Sequence, residues 1–347
     1  KRVNLRVRVR EVDPFRLRYG FFFDTERGAG GIAEFTNRNS LGAARLLGLR
    51  ARYDAEVREF RAYFSQPLLR SFPVQTNITG FARREIQTTF ITDRVGFSAQ
   101  QEARLGGKFI LSYGYRLERT HTFDKDPESL FQLLPFRVAP LVATLTRETR
   151  DDVLDARRGS FLSQAFEWAP AALGSELHYL KYFGQYFRYV PLSRPAEFAF
   201  GEGARRPRWV YAGAVRVGLA GGLGGQELIR SERFFAGGGT TLRGFDQNTL
   251  GPVDFLGDPA GGNALFLLNQ ELRFPLFRIL EGAGFLDIGN VYAGVRDFDL
   301  FNVRKSAGAG LRIRTPYFLL RLDYGRKLDR RPGEPGGKFF FSIGQAF

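Results

Sequence analysis

The chain has 347 residues and a formal net charge of +15, and it contains neither Cys nor Met. The lack of Cys excludes disulfides, thiolate metal sites and Cys nucleophiles, and the two distant His leave no His-rich metal centre. A membrane-spanning helix needs about 18 consecutive apolar residues, whereas the longest uncharged runs here, 71–82 and 259–270, are twelve residues long.

The composition favours a β protein with charged, hydrated surfaces. Gly accounts for 41 residues and Phe for 36, and of the 51 basic residues seven are Lys and 44 are Arg. The Gly content is well above the usual share of about 7%.

The dominant pattern along the chain is an alternation of apolar and polar side chains with a period of two. It begins in Phe15–Phe21, where every second residue is apolar or aromatic and the residues between are Arg or Gly. Because a strand points successive side chains to opposite faces, each such segment predicts an amphipathic strand. We predict sixteen strands, at 15–23, 30–37, 45–54, 57–65, 73–83, 86–100, 105–119, 135–148, 159–168, 178–191, 208–220, 263–274, 282–293, 306–314, 318–326 and 338–347.

The two faces of these strands indicate the fold class. One face is bulky and aromatic, and the other carries Arg, Asp, Glu and Gly. Sixteen strands closed into one sheet form a barrel too wide for side chains to fill, so a water-filled lumen and a lipid-facing apolar band suit the two faces. The pattern predicts an all-β fold, a 16-stranded antiparallel transmembrane β-barrel. A soluble all-β protein with a solvated polar face is the alternative.

Five sequence blocks carry a family resemblance. The segment 234–252 contains the tetrad Leu242, Arg243, Gly244 and Phe245, and the other blocks are 151–159, 269–275, 284–292 and the end of the chain from Asp323. In this order they resemble the BamA/TamA superfamily of outer-membrane β-barrel assembly proteins, also called the bacterial surface antigen family, over residues from about 12 to 347.

The resemblance implies a domain organisation and a location. Residues 13–347 would be a barrel in the bacterial outer membrane, with the sixth extracellular loop, roughly 221–262, folded back into the lumen. Residues 3–11 alternate like a strand and resemble the last strand of a periplasmic POTRA module. We therefore interpret 1–12 as the stub or linker of such a module.

The same resemblance places Arg243 of the loop motif against carboxylates on the inner wall. Strand parity puts Glu271 on the polar face of its strand, and puts Phe285 and Asp287 together on one face of the next. We expect Arg243 to pair with Glu271 and Asp287 beside Phe285, because a guanidinium group can hold a carboxylate through two hydrogen bonds. A solvated extracellular loop with incidental charges is the alternative.

The first and last strands must pair to close the barrel, and we predict a lateral seam between them. Gly residues in the last strand weaken pairing, and an open seam exposes backbone groups that can template an incoming strand. The expected seam residues are Phe15, Leu17, Tyr19, Phe21, Phe341, Ile343, Gly344 and Phe347.

The resemblance implies a function in folding and inserting β-barrel proteins through this seam. Within the superfamily, the sequence of residues 242–252 is more similar to the BamA-like branch than to the TamA-like branch. The implied partners are unfolded outer-membrane β-barrel proteins, outer-membrane lipids and lipopolysaccharide, a periplasmic POTRA arm and accessory lipoproteins. The alternatives are a TamA-like translocation and assembly module and a two-partner-secretion polypeptide transporter. A passive porin is disfavoured by the long Gly-rich motif loop.

We expect no enzyme activity, no cofactor and no metal. The sequence has no Gly-x-Ser-x-Gly nucleophile elbow, and no second carboxylate pair lies on a defined cleft, as a glycosidase needs. The basic residues alternate with apolar residues along many strands and do not cluster on one surface, which argues against nucleic-acid binding.

Overall fold

A computed structural model of the chain describes residues 13–67, 74–125, 135–153, 155–197, 205–207, 209–277, 279–314 and 319–344. Within these residues sixteen barrel strands follow one another along the chain. They are β1 (Phe15–Asp24), β2 (Gly28–Asn37), β3 (Leu46–Tyr53), β4 (Val57–Gln66), β5 (Val74–Ile86), β6 (Phe90–Arg104), β7 (Phe109–Asp124), β8 (Leu141–Glu148), β9 (Gly159–Ala169), β10 (Tyr179–Pro191), β11 (Val210–Gly222), β12 (Ala264–Phe277), β13 (Leu280–Tyr292), β14 (Arg304–Arg314), β15 (Leu319–Lys327) and β16 (Gly337–Gly344).

Each strand pairs antiparallel with its neighbours along the chain, and β1 also pairs with β16, so the sheet closes on itself. The prediction of an all-β, 16-stranded antiparallel barrel is confirmed. The helical elements of the described residues are four single 3₁₀ turns, at Gly106–Lys108, Ala171–Leu173, Arg230–Glu232 and Val295–Asp297. No helix of the described part is long and apolar enough to cross a membrane.

The strands have an apolar outer face and a largely polar inner face, as the alternation predicts, except near the long connection before β12, where Leu265 and Val291 face inward. On β1 the side chain of Phe21 is 79% exposed, whereas Asp287 on β13 and Asp323 on β15 are 0% exposed. Such an arrangement is the inverse of a soluble barrel, whose apolar side chains fill the interior. An apolar belt on the outer face, with polar groups on either side of it, is typical of barrels that span membranes.

Several strand boundaries differ from the prediction. The predicted strands 86–100 and 105–119 lie about four residues further along, as β6 and β7, because the polar residues 100–104 continue the β6–β7 ladder without an apolar alternation. The predicted strand 135–148 is divided into Phe136–Val138 and β8, both paired with β7. Pro140 lies at the break, where it has no N–H for the ladder.

The connection between β10 and β11 contains a small antiparallel ribbon, Pro195–Glu197 with Arg205–Pro207. The segment 1–12, interpreted as the stub of a POTRA module, lies outside the described residues.

The largest cluster of buried apolar side chains lies beneath the connection between β11 and β12, residues 223–263, which we call the long loop. Leu242, Phe245 and Leu250 of this loop are at most 2% exposed, and they belong to the same apolar cluster as Leu265 on β12 and Val291 on β13. The burial of these side chains provides a hydrophobic driving force that fixes the loop to the wall.

Candidate functional site

Arg243 at the tip of the long loop contacts three carboxylates on the polar face of the wall. Its Nε lies 2.7 Å and its Nη2 lies 2.9 Å from the two oxygens of Asp287, and its Nη1 lies 2.7 Å from Glu271. A third carboxylate, Asp323, lies 3.5 Å from Nη1. The guanidinium is therefore held by a two-point contact to Asp287 and by single contacts to acids on β12 and β15.

The ring of Phe285 stacks against the same guanidinium. The Cζ atom of Arg243 lies 3.4 Å from the ring centroid, and Arg243 and Phe285 are 4% and 7% exposed. A planar guanidinium can bind carboxylates at its edge while its face lies on an aromatic ring. A lysine ammonium group has no such plane.

Two arginines that the sequence analysis did not single out balance the acids of this cluster. Arg312 on β14 lies 2.5 Å from Asp323 and 3.3 Å from Glu271, and Arg321 on β15 lies 2.6 Å from Asp323. Asp323 was also missed as a partner of Arg243. The signal was present in the parity of β15, where Arg321 and Asp323 share the face opposite Leu320 and Leu322.

The neighbours of Arg243 in the motif fix its backbone. Leu242 is fully buried and Phe245 is 2% exposed, and the Phe245 ring contacts the cationic groups of Arg304 and Lys327 at 4.7 and 4.8 Å. Gly244 has a φ of +93°, a left-handed conformation that glycine adopts without steric cost. All four residues of the motif are thus held against the wall.

The long loop has a second electrostatic contact of opposite polarity. Glu232, which is 1% exposed, lies 2.9 Å from Arg94 on β6 and 3.3 Å from Lys181 on β10. In the first contact Arg243 of the loop pairs with acidic side chains of the wall. In the second contact Glu232 of the loop pairs with basic side chains of the wall. The first contact involves β12, β13 and β15, and the second involves β6 and β10.

The turns between the first strands also contact the long loop. The carboxylate of Glu26, between β1 and β2, accepts a 2.9 Å hydrogen bond from the amide of Gly239, and Glu56, between β3 and β4, accepts one from Gln247. Burial raises the pKa of Glu26, although the Gly239 hydrogen bond opposes the rise. Burial likewise raises the pKa of Glu56 against the opposing hydrogen bond from Gln247.

At the opposite end of the barrel, the turn between β8 and β9 is fixed to the wall by Arg157. This side chain is 1% exposed, and it forms ion pairs with Glu281 on β13 and, at 3.3 Å, with Asp155 of the same turn. Asp155 lies 3.5 Å from Arg273, which lies 2.8 Å from Glu271. A chain of ion pairs therefore connects this turn to the carboxylate that Arg243 contacts.

The described part of the pairing between β1 and β16 is short. Within the described residues, which end at Gly344, it comprises three register pairs, Phe22 with Gly344, Phe23 with Ile343 and Asp24 with Ser342, whereas β1 has ten register pairs with β2. Beyond the last strand pair, the amide of Thr25 donates a 3.0 Å hydrogen bond to the carbonyl of Phe341. Within the described residues, the part of β1 before Phe22 is paired only with β2.

Six of the predicted seam residues lie on the apolar face of these two strands, whereas Gly344 is the register partner of Phe22 and belongs to the other face. Exposure of the four on β1 lies between 57% and 79%, in the order Phe15, Leu17, Tyr19 and Phe21. On β16 the ring of Phe341 lies 6.3 Å from that of Phe23, and Ile343 is 37% exposed. The predicted seam residue Phe347 lies outside the described residues.

Comparison with known proteins decides the family. The model of the Omp85 superfamily domain matches residues 39–347. The chain belongs to the Omp85 superfamily. It is 26% identical over 357 aligned positions to the outer membrane protein assembly factor BamA of Nitratidesulfovibrio vulgaris, in an alignment that covers 99% of this chain and 43% of that relative. The chain thus spans less than half the length of this Omp85 relative.

Two solved structures support the same barrel fold. BamA from Haemophilus ducreyi lacking POTRA domains 1–3 superimposes with a TM-score of 0.80 at 19% identity, over 97% of this chain and 71% of that one. CdiB from Acinetobacter baumannii superimposes with a TM-score of 0.60 at 13% identity, over 95% and 60%. The family expected from the sequence is confirmed, and so is the location of this Omp85 barrel in the bacterial outer membrane.

Proposed function

We propose that this Omp85 barrel folds and inserts β-barrel proteins into the bacterial outer membrane through the seam between β1 and β16. The observation that carries the proposal is the edge of β1, which within the described residues, ending at Gly344 on β16, has three register pairs with β16 against ten with β2. The unpaired backbone groups of a strand edge can template another strand, and an incoming strand that pairs there follows the same physics as β-augmentation.

The chemistry of the proposed reaction requires no bond-breaking step. An unfolded strand gains hydrogen bonds at the β1 edge, where unsatisfied backbone groups are costly in lipid. Its apolar face is transferred into hydrocarbon, which is favourable in proportion to the area removed from water. We therefore propose a non-enzymatic assembly factor whose substrates are unfolded outer-membrane β-barrel proteins and which acts with a POTRA arm and accessory lipoproteins.

In this proposal the long loop folds into the lumen and acts as a brace for the wall that adjoins the seam on the β16 side. Arg243 links β12, β13 and β15 through three carboxylates, so that these strands keep their positions when the seam opens. The Glu26 contact to Gly239 ties the β1–β2 turn to the same loop. This arrangement confines movement to the seam.

A disulfide across the seam tests the proposal, and the absence of natural Cys makes such a variant unambiguous. Phe23→Cys with Ile343→Cys joins register partners of β1 and β16. In the full-length protein in proteoliposomes, we expect the oxidised variant to lose assembly of a small β-barrel substrate and to regain it on reduction. The matched control is Tyr324→Cys with Phe339→Cys, register partners of β15 and β16, which should leave assembly intact. Undiminished assembly with the seam locked would exclude the mechanism.

The likeness to CdiB supports a second candidate, export of an unfolded polypeptide through the lumen, either by a secretion transporter or by a TamA-like module. For export, the long loop would have to leave the lumen, so removal of the Arg243 contacts should open a wide pore. The two candidates differ in two measurements. Export predicts large single-channel conductance and no effect of the seam disulfide. Assembly predicts low conductance and a loss of substrate assembly when the seam is locked.

A further inference from the structure

The outer face of the barrel carries four arginines close to the end where the long loop lies. They are Arg58 on β4, Arg84 on β5, Arg119 on β7 and Arg137 in the Phe136–Val138 segment, and all four are exposed. They share the outer face because the register places them in line with exposed apolar residues such as Tyr53 and Val95. We call these four residues the outer arginine row.

The arginines of this row face one another across the strands. Arg58 is the register partner of Arg84, and Arg119 is the register partner of Arg137. Like charges directly opposite each other on one face of a sheet are destabilising. Two such pairs on neighbouring strands indicate that an anion between the guanidinium groups compensates the repulsion.

The protein itself supplies part of that negative charge. Both oxygens of Asp93 on β6 accept hydrogen bonds of 2.6 Å from Arg84, and Glu176 lies 3.1 Å from Arg137. Among the described residues Arg58 and Arg119 form no ion pair within 4 Å, although the charge of Arg119 also acts on Glu176, and the Arg58 guanidinium lies 5.1 Å above the Tyr53 ring. One arginine of each facing pair is therefore available to an external anion.

The surroundings identify the kind of anion. The next outer-face positions towards the middle of the barrel are apolar: Phe60 and Ala82 follow Arg58 and Arg84, and Leu117 follows Arg119. An arginine on the lipid-facing side is costly at the bilayer midplane and tolerated near the interface, so the row marks the head-group level. A ligand that fits has acyl chains along the apolar positions and phosphates at the arginines.

We propose that the outer arginine row binds the phosphate groups of lipopolysaccharide in the leaflet at the loop end of the barrel. Arg58 on β4 and Arg119 on β7 are separated by three strand spacings, on the order of 14 Å, and by a two-residue offset along the strands, which suits a head group with more than one phosphate. Guanidinium forms bidentate, charge-assisted hydrogen bonds with phosphate. The inference depends on the outer-membrane location and is independent of the proposed assembly function.

The experiment measures lipid binding to the barrel in nanodiscs of phosphatidylcholine. The probes are bisphosphorylated lipid A, dephosphorylated lipid A and phosphatidylglycerol. We expect Arg58→Gln with Arg119→Gln to weaken lipid A binding roughly tenfold or more, since each contact to a charged group is substantial. The matched control is Arg147→Gln with Arg188→Gln, which removes two exposed outer-face arginines from the opposite end, on β8 and β10, and leaves binding unchanged.

Each outcome bears on the proposal. Tight binding of lipid A, weak binding of its dephosphorylated form and a loss confined to the Arg58/Arg119 variant support it. Equal binding of phosphatidylglycerol would overturn it in favour of a general attraction to anionic surfaces, and an equal loss in the Arg147/Arg188 control would do the same. Assembly assays on the same variants remain a separate readout, so failure of one proposal is distinguishable from failure of the other.

Discussion

The backbone of Gly244 in the long loop lies directly against the backbone of Gly325 on β15. A Cβ atom on Gly244 would lie 2.9 Å from the carbonyl oxygen of Gly325, and a Cβ atom on Gly325 would lie 2.5 Å from the amide nitrogen of Gly244. Two backbones meet here without an intervening side chain. This close approach lets the neighbouring Arg243 reach carboxylates that are set into the wall.

The first prediction concerns this contact. Gly325→Ala forces the loop away from β15, and overpacking of this kind costs about 1–3 kcal/mol. We expect a lower thermal midpoint of the folded barrel and faster protease cleavage within 223–263. The control is Gly284→Ala on the outer face of β13, where nothing lies within 4 Å of an added Cβ. Equal behaviour of the two variants would show that the backbone contact has no role.

The second prediction separates charge from geometry at Arg243. Arg243→Ala leaves Asp287 and Glu271 without their partner, and breaking a buried pair costs about 3–5 kcal/mol. Arg243→Lys keeps the charge but loses the two-point contact and the stacking on Phe285, so its loss should be intermediate.

Thermal unfolding of the folded barrel measures both variants. Arg331→Ala, which removes an exposed arginine from the connection between β15 and β16, should leave the midpoint unchanged. If the Lys variant matched the parent, the planar geometry of the guanidinium would be irrelevant and charge alone would explain the contact.

The third prediction uses two adjacent arginines in the turn before β9. Arg157 is buried in ion pairs with Glu281 and Asp155, whereas Arg158 is exposed. Arg157→Ala should destabilise the barrel by about 3–5 kcal/mol and expose 149–158 to protease. Arg158→Ala should change either measurement very little, because surface charges contribute about 0–1 kcal/mol. A similar effect of both substitutions would contradict the assigned contact.

The fourth prediction is a pH dependence of the contacts between the long loop and the first turns. Burial raises the pKa of Glu26 and of Glu56 above the usual 4.5. A raised carboxyl pKa means that the folded state favours the protonated form. Stability from these two groups is therefore greatest below pH 4.5 and decreases as the pH rises through the raised values.

Hydrogen exchange in the loop segment 237–248 at pH 4 and pH 7 checks this. We expect stronger protection at pH 4 after correction for intrinsic exchange rates, and Glu26→Gln with Glu56→Gln should remove the difference. Glu334 provides a contrast, because Arg304 lowers its pKa to about 2. Its contact should persist at pH 4 and be lost only as the pH falls towards 2. Weaker loop protection at pH 4 would reverse the assigned sign.

The alternation in the sequence was sufficient to predict which side chains face outward and which face inward on most strands. Parity placed Asp287 and Phe285 together, and the register of β13 puts both on the polar side. It did not identify Asp323 or Glu281 as partners, because Arg243 and Asp323 are 80 positions apart and Arg157 and Glu281 are 124 apart. A period of two reports which way a side chain points and contains no information on what lies across the barrel.

The sequence by itself determined the class, the number of strands and the two chemical faces of this barrel, because each depends on local alternation and turn chemistry that a strand expresses wherever it lies. Only the tertiary structure decided which groups meet. Closure of the sheet paired β1 with β16, over three register pairs in the described part of the chain, brought Gly244 against Gly325, and aligned Arg58 with Arg84 on the outer face. These relationships follow from register and closure, which join residues that no local pattern connects.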